Sequence, residues 1–370
     1  MRRVYLDHAS CSTLRPEAAE AMRAAISVQA GDPGRLHQEA QAPRALIEAA
    51  REQVAAFAGV RPRQVIFTSS ATEANATAIR TSCVAPGARA VLGAVEHSSV
   101  VRTLDQLGSE VEMISCDADG EIDALAFCAA LTPETAVAVL QHANHEVGTV
   151  QQVDSVLAAC RTAGVPLLVD AAASSAFLEP PAADFVSLSS SAIGGPAGVG
   201  ALIVGRGVRV SPLFVGAAQE RARRAGLENL VGIAGFGAAA QACLAEGRSG
   251  LSQRLGALQS ALENGLRSRG DAVLFAADAQ RRLPNITSFA IDGIEAEPIL
   301  LALDQRGVAI HSGSSCSSEM LEPSSVLAAM GASSQHALCA SLGWSSRAAD
   351  ATLFLDALNA AVAQLRSLRR

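Results

Sequence analysis

Short apolar runs rich in β-branched residues alternate with alanine-rich stretches of helical periodicity along the first 230 residues or so. Such alternation is typical of a mostly parallel sheet with helices on both faces. The predicted strands span residues 64–68, 90–94, 110–115, 135–140, 166–169, 185–188 and 200–204. The predicted helices include 43–57, 70–82 and 153–163. We expect the first helix to begin at Pro43, because a proline in the first turn loses no hydrogen bond.

The pattern changes near residue 230, where a helix-rich stretch begins that runs to Gly270. A second α/β unit follows, with predicted strands at 286–291, 308–311 and 338–342 and predicted helices at 296–306 and 348–368. At about 150 residues per domain, 370 residues suffice for two. We therefore predict a large α/β domain at 13–245, and a smaller C-terminal α/β domain formed by 246–370 together with 1–12.

The composition limits the cellular location and the classes of partner that we expect. Hydrophobic residues make up 49% of the chain and charged residues 18%, yet no stretch approaches the ~18 consecutive apolar residues of a membrane span. The first residues lack the apolar segment of a signal peptide. A net charge of −7 argues against a nucleic-acid binder, which is usually basic. We expect a cytoplasmic protein with no membrane or nucleic-acid partner.

All 29 basic residues are arginine, and the chain contains no lysine. A Schiff base on a lysine of this subunit is therefore excluded. The eight cysteines are scattered without a C-x-x-C pair, so they predict neither a disulfide framework nor a zinc site. His142 and His145 lie close in sequence, but we predict no metal there.

Four segments carry candidate chemistry, and each has an ordinary structural explanation beside it. The segment 67–73 ends a strand in hydroxyl residues, which suits a phosphate-binding turn or a plain helix cap. Asp170 ends a strand, as a ligand-binding acid or a solvated turn residue would. The glycine-rich run 194–200 indicates only a flexible loop. Cys316 lies among serines and a glycine, which favours an exposed reactive thiol over a core position.

Taken in order, these segments resemble the cysteine desulfurases, which are pyridoxal-phosphate (PLP) enzymes of the class V aminotransferase superfamily with fold type I. The resemblance covers essentially the whole chain. The matching segments are Tyr5-Leu6-Asp7-His8-Ala9, Phe67-Thr68-Ser69-Ser70-Ala71-Thr72-Glu73, Val95-Glu96-His97, Asn144-His145-Glu146-Val147-Gly148, Arg282-Leu283-Pro284-Asn285, and Ser312-Gly313-Ser314-Ser315-Cys316 with Leu321-Glu322-Pro323-Ser324.

The resemblance implies a homodimer and a specific chemistry. In the family, PLP on a lysine takes up cysteine, and a loop cysteine then removes its sulfur as a persulfide and leaves alanine. Cys316 aligns with that nucleophile. The positions that align with the PLP pocket are Thr72, His97, Asn144, Asp170 and Ser189.

Several family positions are changed in this chain. The Schiff-base lysine corresponds to Ala192 and the histidine before it to Ser191. The arginine that pairs with the substrate carboxylate corresponds to Cys339, and a thiol cannot form that bidentate contact. A glutamine near the cofactor corresponds to Ala173, and the threonine that reaches the neighbouring subunit's phosphate to Leu227. We therefore expect no covalent cofactor, and only weak PLP binding through phosphate, Asp170 and ring stacking.

These departures lead to three hypotheses. The first, which we predict, is a degenerate homologue that has lost PLP-dependent desulfuration and acts through Cys316 as a sulfur relay, scaffold or regulator. Its partner would be a sulfur acceptor or a paralogous desulfurase. The second is an active PLP-dependent desulfurase or lyase-type enzyme with altered chemistry, or with sites completed by a partner chain. The third is an enzyme of another class that reuses the pocket for a different ligand.

Overall fold

The computed structural model describes residues 3–28, 31–312, 324–332 and 336–368. Cys316 lies outside the described residues. The strands are β1 (Val4–Tyr5), β2 (Val65–Thr68), β3 (Arg89–Gly93), β4 (Glu110–Ile114), β5 (Thr135–Gln141), β6 (Leu167–Asp170), β7 (Phe185–Ser189), β8 (Gly200–Val204), β9 (Ala272–Phe275), β10 (Ile286–Ile291), β11 (Val308–Ala309), β12 (His311–Ser312) and β13 (Ala337–Ser341).

The helices alternate with these strands in the first half of the chain and dominate between β8 and β9. They are α1 (Pro16–Ser27), α2 (Gln38–Phe57), α3 (Ala71–Ser82), α4 (Ser98–Gln106), α5 (Ala124–Ala130), α6 (Val153–Ala163), α7 (Leu230–Glu246), α8 (Arg248–Ser268), α9 (Ala296–Gln305), α10 (Ser325–Ala329) and α11 (Ala348–Leu368).

A seven-stranded sheet with the order β2-β8-β7-β6-β5-β3-β4 forms the centre of the fold. Its neighbouring strands run parallel, except that β8 is antiparallel to both β2 and β7. The seven strands expected in this region are confirmed, each with ends within one residue of the prediction. The predicted α/β fold with a mostly parallel sheet is therefore confirmed.

Neighbouring residues on the strands bury opposite faces of this sheet, as the pleat requires. Ile66 and Leu168 belong to the core cluster that includes Ile79 of α3 and Leu104 of α4. Phe67 and Val169, one residue further along, belong to the larger cluster on the other face. Covered on both sides, the strands read as continuous apolar runs rather than alternating ones.

A smaller antiparallel sheet, of order β12-β13-β10-β9, lies in the second half of the chain. The strand predicted at 308–311 is wrong as a single element. Val308 and Ala309 pair in parallel with the N-terminal β1, whereas His311 and Ser312 pair with β13. The run was apolar enough for one strand, but its two halves have different neighbours. The predicted domain boundary at 245/246 stays a prediction.

The helix predicted to begin at Pro43 begins instead at Gln38, so this proline lies inside α2. The residues before it include good helix formers, which extend the helix by a further turn. A proline this near the start deprives one carbonyl of its hydrogen-bond donor and leaves the rest of the helix bonded. Among the described helices none is by itself long and apolar enough to cross a membrane; only the pair Leu230–Glu246 and Arg248–Ser268, bent by 78°, meets the requirement jointly.

Candidate active site

A cavity of about 360 Å³ opens at the carboxyl ends of the parallel strands. Its walls come from the N-terminal segment, the start of α3, the ends of β6 and β7, and the strands β12 and β13. The lining residues are Ala9, Ser10, Ser70, Ala71, Thr72, Asn75, His97, Ser99, His145, Glu146, Asp170, Ala172, Ala173, Ser189, Ser191, Ala192, His311 and Cys339.

The start of α3 forms one wall. The Ser70 hydroxyl caps the helix by accepting from the N–H of Glu73 at 3.1 Å. The Glu73 carboxylate accepts from the N–H of Ser69 at 2.7 Å and from Arg224 Nε at 3.0 Å. Helix geometry leaves the N–H groups of Ala71 and Thr72 without an acceptor within α3. The same segment therefore serves as a helix cap and offers donors to an anion in the cavity.

Gly200 sets the position of this wall against the sheet. A Cβ at this first residue of β8 would lie 2.6 Å from the carbonyl carbon of Ser70 and 2.7 Å from the carbonyl oxygen of Leu188. Only glycine allows so close an approach of three backbone segments. The turn before α3 is thereby held directly over the end of β7.

Asp170 lies at the carboxyl end of β6 and is 8% exposed. One carboxylate oxygen accepts from Ser187 Oγ and from the N–H of Ala172, both at 3.0 Å. The other accepts from Asn75 Nδ2 at 2.7 Å. These donors fix the carboxylate in the cavity wall, and a carboxylate can accept about four hydrogen bonds, so capacity for a ligand donor remains.

Asn75 lies one turn into α3 and is fully buried. Its amide nitrogen donates to Asp170 and, at 3.0 Å, to Ser99 Oγ. Its Oδ1 has no hydrogen-bond partner within the described part of the chain. A buried acceptor without a donor is costly, and here it belongs to a residue that lines the cavity.

Three imidazoles lie on the cavity wall. The rings of His97 and His145 meet edge to face with their centres 5.2 Å apart. His97 Nδ1 accepts from the N–H of Ser99 at 3.1 Å. Burial, with a smaller contribution from the neighbouring His97 and His311, lowers the pKa of His145 to about 3. His145 is therefore a neutral imidazole at physiological pH.

Glu146 and Cys339 lie together on the wall. Burial raises the pKa of Glu146 to about 7, although the Ser324 hydroxyl donates to its carboxylate and opposes the shift. The Cys339 thiol lies 3.7 Å from the Glu146 carbonyl oxygen. Burial raises the pKa of Cys339 far above its ordinary value, so this thiol is not a reactive thiolate. In the described part of the chain, no group of three or more His, Cys, Asp or Glu residues is arranged to hold a metal.

Residues 4–354 match the aminotransferase class-V family. The chain belongs to this family. It is 37% identical to a cysteine desulfurase of Cereibacter sphaeroides, over 100% of this chain and 98% of that protein. It is 32% identical to a cysteine desulfurase of Dictyoglomus turgidum, over 99% and 96% of the two chains. A solved NifS-like protein superimposes with a TM-score of 0.90 at 26% identity, covering 98% of this chain and 99% of that one.

The desulfurase family is PLP-dependent, so the cavity can be tested against that cofactor. Its non-covalent requirements are met, because Asp170 offers a carboxylate for a pyridine nitrogen and the start of α3 offers N–H groups for a phosphate. The covalent requirement is not met. The 3₁₀ turn Ser191–Ile193 places Ala192 on the wall where the resemblance puts the lysine.

Four of the predicted pocket residues, Thr72, His97, Asp170 and Ser189, line one cavity. Asn144 does not: it is fully buried, and its Oδ1 accepts from the N–H groups of Glu146 and Val147. It shapes the segment that carries Glu146 instead of facing a ligand.

Among the lining residues missed at the sequence level are Asn75, Glu146 and His311. Asn75 follows Thr72 by three residues, so helical spacing alone could have placed both on the same face. Glu146 and His311 lay within quoted motifs or beside them, but nothing in the sequence said which way they face.

Proposed function

We propose that this chain is a PLP-dependent member of the desulfurase family that holds the cofactor reversibly, by non-covalent contacts, and whose chemistry differs from lysine-dependent desulfuration. The observation that carries the proposal is the Asp170 carboxylate, fixed by three donors in the wall of a cavity that also includes the start of α3. Full-length identity of 32–37% to cysteine desulfurases favours retained activity over loss.

Each end of the cofactor has a partner among the lining residues. Asp170 would pair with the pyridine nitrogen, and Thr72 with the N–H groups of α3 would hold the phosphate. His97 would lie against the ring. When bound, PLP supplies an aldehyde that condenses with primary amines and a ring that accepts electrons from the substrate carbon.

Without a lysine, another group has to move the substrate proton. A general base works best when its pKa lies near the operating pH. Glu146 meets this condition, since burial raises its pKa to about 7 and it lines the cavity. His145, with a pKa of about 3, is too weak a base for this step. We therefore assign proton movement to the Glu146 carboxylate.

A second candidate function is a sulfur relay, scaffold or regulatory role through Cys316, within a homodimer and with a sulfur acceptor or paralogous desulfurase as partner. The sequence favours it at one point. The segment around Cys316 stays close to the family pattern, whereas Ala192 and Cys339 stand where the lysine and arginine would be. The described residues do not include Cys316, so this candidate rests on sequence alone.

Absorption spectra of the purified protein with added PLP, before and after dialysis, test the first proposal. We expect a spectral change on mixing that dialysis removes and that borohydride cannot fix to the protein. Asp170→Asn, which keeps the shape of the side chain, should weaken this change. Absence of any change with wild-type protein, together with no PLP binding by calorimetry, would refute it. Cysteine and other primary amines should then be screened for turnover.

The relay candidate has a separate test. The protein is incubated with a low-molecular-weight persulfide donor and analysed by mass spectrometry, with Cys316→Ser as the control. Added sulfur on Cys316 in the wild type and none in the variant would support a relay. If no sulfur is found on Cys316, the relay form of that candidate is excluded, whatever the outcome with PLP.

A further inference from the structure

Among the described residues of the cavity wall there is neither arginine nor lysine, and the chain as a whole has no lysine. In the sequence, residues 313–323 and 333–335, which lie outside the described ranges, contain two glutamates and no arginine. The wall does include two carboxyl groups, those of Glu146 and Asp170.

Two guanidinium groups beside residues of the cavity wall, those of Arg224 and Arg15, are already paired. Arg224 donates to the Glu73 carboxylate at 3.0 Å, which holds it behind the start of α3. Arg15 lies next to Ala192 in an adjoining cavity, where its Nε donates to the Ile193 carbonyl and its Nη2 to Glu246 at 2.7 Å. Turning either arginine toward the cavity would leave a partly buried carboxylate without its partner, at a cost of several hydrogen bonds.

The two ends of the cavity differ in how well they can compensate an anion. The phosphate end has the N–H groups of α3 and the Thr72 hydroxyl, which compensate an anion without any side-chain charge. On the wall formed by Glu146 and Cys339, the thiol is neutral and the carboxyl becomes anionic above neutral pH. Much of the remaining lining is methyl groups, from Ala9, Ala71, Ala172, Ala173 and Ala192.

We infer that this cavity, when loaded with the cofactor, takes a primary amine that has no carboxylate beside the amino group, in preference to an α-amino acid. The inference rests on the proposed function, because the cofactor would fix the amine in the cavity. A substrate carboxylate here would lose water without gaining a cation, and a buried charge without a partner is strongly disfavoured. An alkyl, thiol or hydroxyl substituent meets no such penalty.

Stable reduced adducts test the inference without any catalytic turnover. Phosphopyridoxyl-ethylamine and phosphopyridoxyl-alanine differ only by the carboxylate, and both bind without reacting. Their dissociation constants for the cofactor-free protein are measured by calorimetry at pH 8, where an ordinary imidazole is neutral. We expect the ethylamine adduct to bind at least 10-fold more tightly, the size of effect that one unpaired charge produces.

The outcomes separate the inference from the proposed function. Equal binding, or tighter binding of the alanine adduct, overturns the inference while the proposed function stands. Failure of both adducts and of PLP itself to bind overturns the proposed function, and the inference with it.

Two variants sharpen the comparison. His311→Arg adds a cation at a partly exposed lining position and should tighten the alanine adduct at least 10-fold, with little change for the ethylamine adduct. Glu146→Gln removes a carboxyl group from the cavity wall and should reduce the preference for the ethylamine adduct over the alanine adduct. Circular dichroism establishes that each variant is folded. If both variants are folded and the ratio of the two dissociation constants is unchanged, the charge argument is contradicted.

Discussion

The guanidinium of Arg51 and the carboxylate of Glu220 form a two-point ion pair inside the protein, with N–O distances of 2.8 and 2.7 Å. The side chains are only 6% and 1% exposed. Glu220 also accepts from the N–H of Phe67 at 3.0 Å, so the pair joins α2, β2 and the turn Gln219–Ala222. That turn has three successive positive φ angles, 46°, 59° and 61° at Glu220, Arg221 and Ala222, which L-residues rarely adopt.

We predict that Glu220→Gln lowers the free energy of unfolding by about 3–5 kcal/mol, because it leaves a buried guanidinium without its counter-charge beside a strained turn. Chemical denaturation measures the change. Glu48→Gln is the matched control, since Glu48 contacts the same guanidinium at 3.0 Å but is 49% exposed. It should cost less than about 1 kcal/mol. Similar losses in both variants would contradict the assignment.

Asp170→Asn should weaken PLP binding about 10- to 100-fold, because a charged acceptor for the pyridine nitrogen becomes a neutral amide. Calorimetric titration with PLP gives the dissociation constants. Ser187→Ala, which removes only one donor to the same carboxylate, should have a smaller effect. Unchanged affinity in Asp170→Asn would show that this residue does not contact the cofactor.

Ala192→Lys should create a covalent PLP adduct that survives dialysis, because it returns an amine to the wall where Ala192 lies. Borohydride reduction followed by peptide mass spectrometry locates the adduct. Ala173→Lys is the control, because Ala173 lines the same cavity at another point. A reduced adduct on residue 173 but not on residue 192 would show that the cofactor lies differently from our proposal.

His142 should lower the stability of the protein as the pH drops from about 6.5 to about 4, whereas Glu146, whose pKa burial raises to about 7, contributes with the opposite sign. Burial lowers the pKa of His142 to about 4, so the folded protein keeps it neutral, while the unfolded chain binds a proton below about 6.5. Because the unfolded state then holds more protons, acid favours unfolding, by about 3 kcal/mol for this one group at full titration.

His142→Gln should flatten this part of the pH profile, measured as unfolding free energy between pH 4 and pH 7. His8 and His145, whose pKa values burial also lowers, to about 4 and about 3, supply further groups of the same sign, so the slope should be reduced and not abolished. Parallel profiles for the variant and the wild type would contradict the buried neutral state of His142.

The sequence predicted the strands of the central sheet other than β4 well because they are buried on both faces and therefore stand out as apolar runs. The edge strand β4 was also predicted, although four of its five residues are exposed. β9 was missed for the opposite reason, since its residues are partly or fully exposed. The predicted start of α2 at Pro43 was wrong, because local preference could not reveal that the helix begins before the proline, at Gln38.

Parts of the site could be predicted in the same way. Asp170 was found because an acid that ends a buried strand lies where ligands bind in such sheets. The contact between Arg51 and Glu220 was not, since 169 residues separate the two and nothing local couples them. The orientation of Asn144 toward its own backbone was also out of reach, because a sequence motif does not say where a side chain points.

The N-terminal segment reaches the cavity from a two-stranded sheet, β1-β11, and a bridge to the small four-stranded sheet. Val4 and Tyr5 pair with Val308 and Ala309, and Asp7 bridges to Ser341, whereas Asp170 belongs to the central sheet. Ala9 and Ser10, two residues further on, form one wall of the cavity. The walls of the cavity are therefore anchored to two different sheets. A shift of a few ångströms between the sheets would change its width, and deleting the first five residues would remove the β1 pairing while the Asp7–Ser341 bridge still holds the wall formed by Ala9 and Ser10.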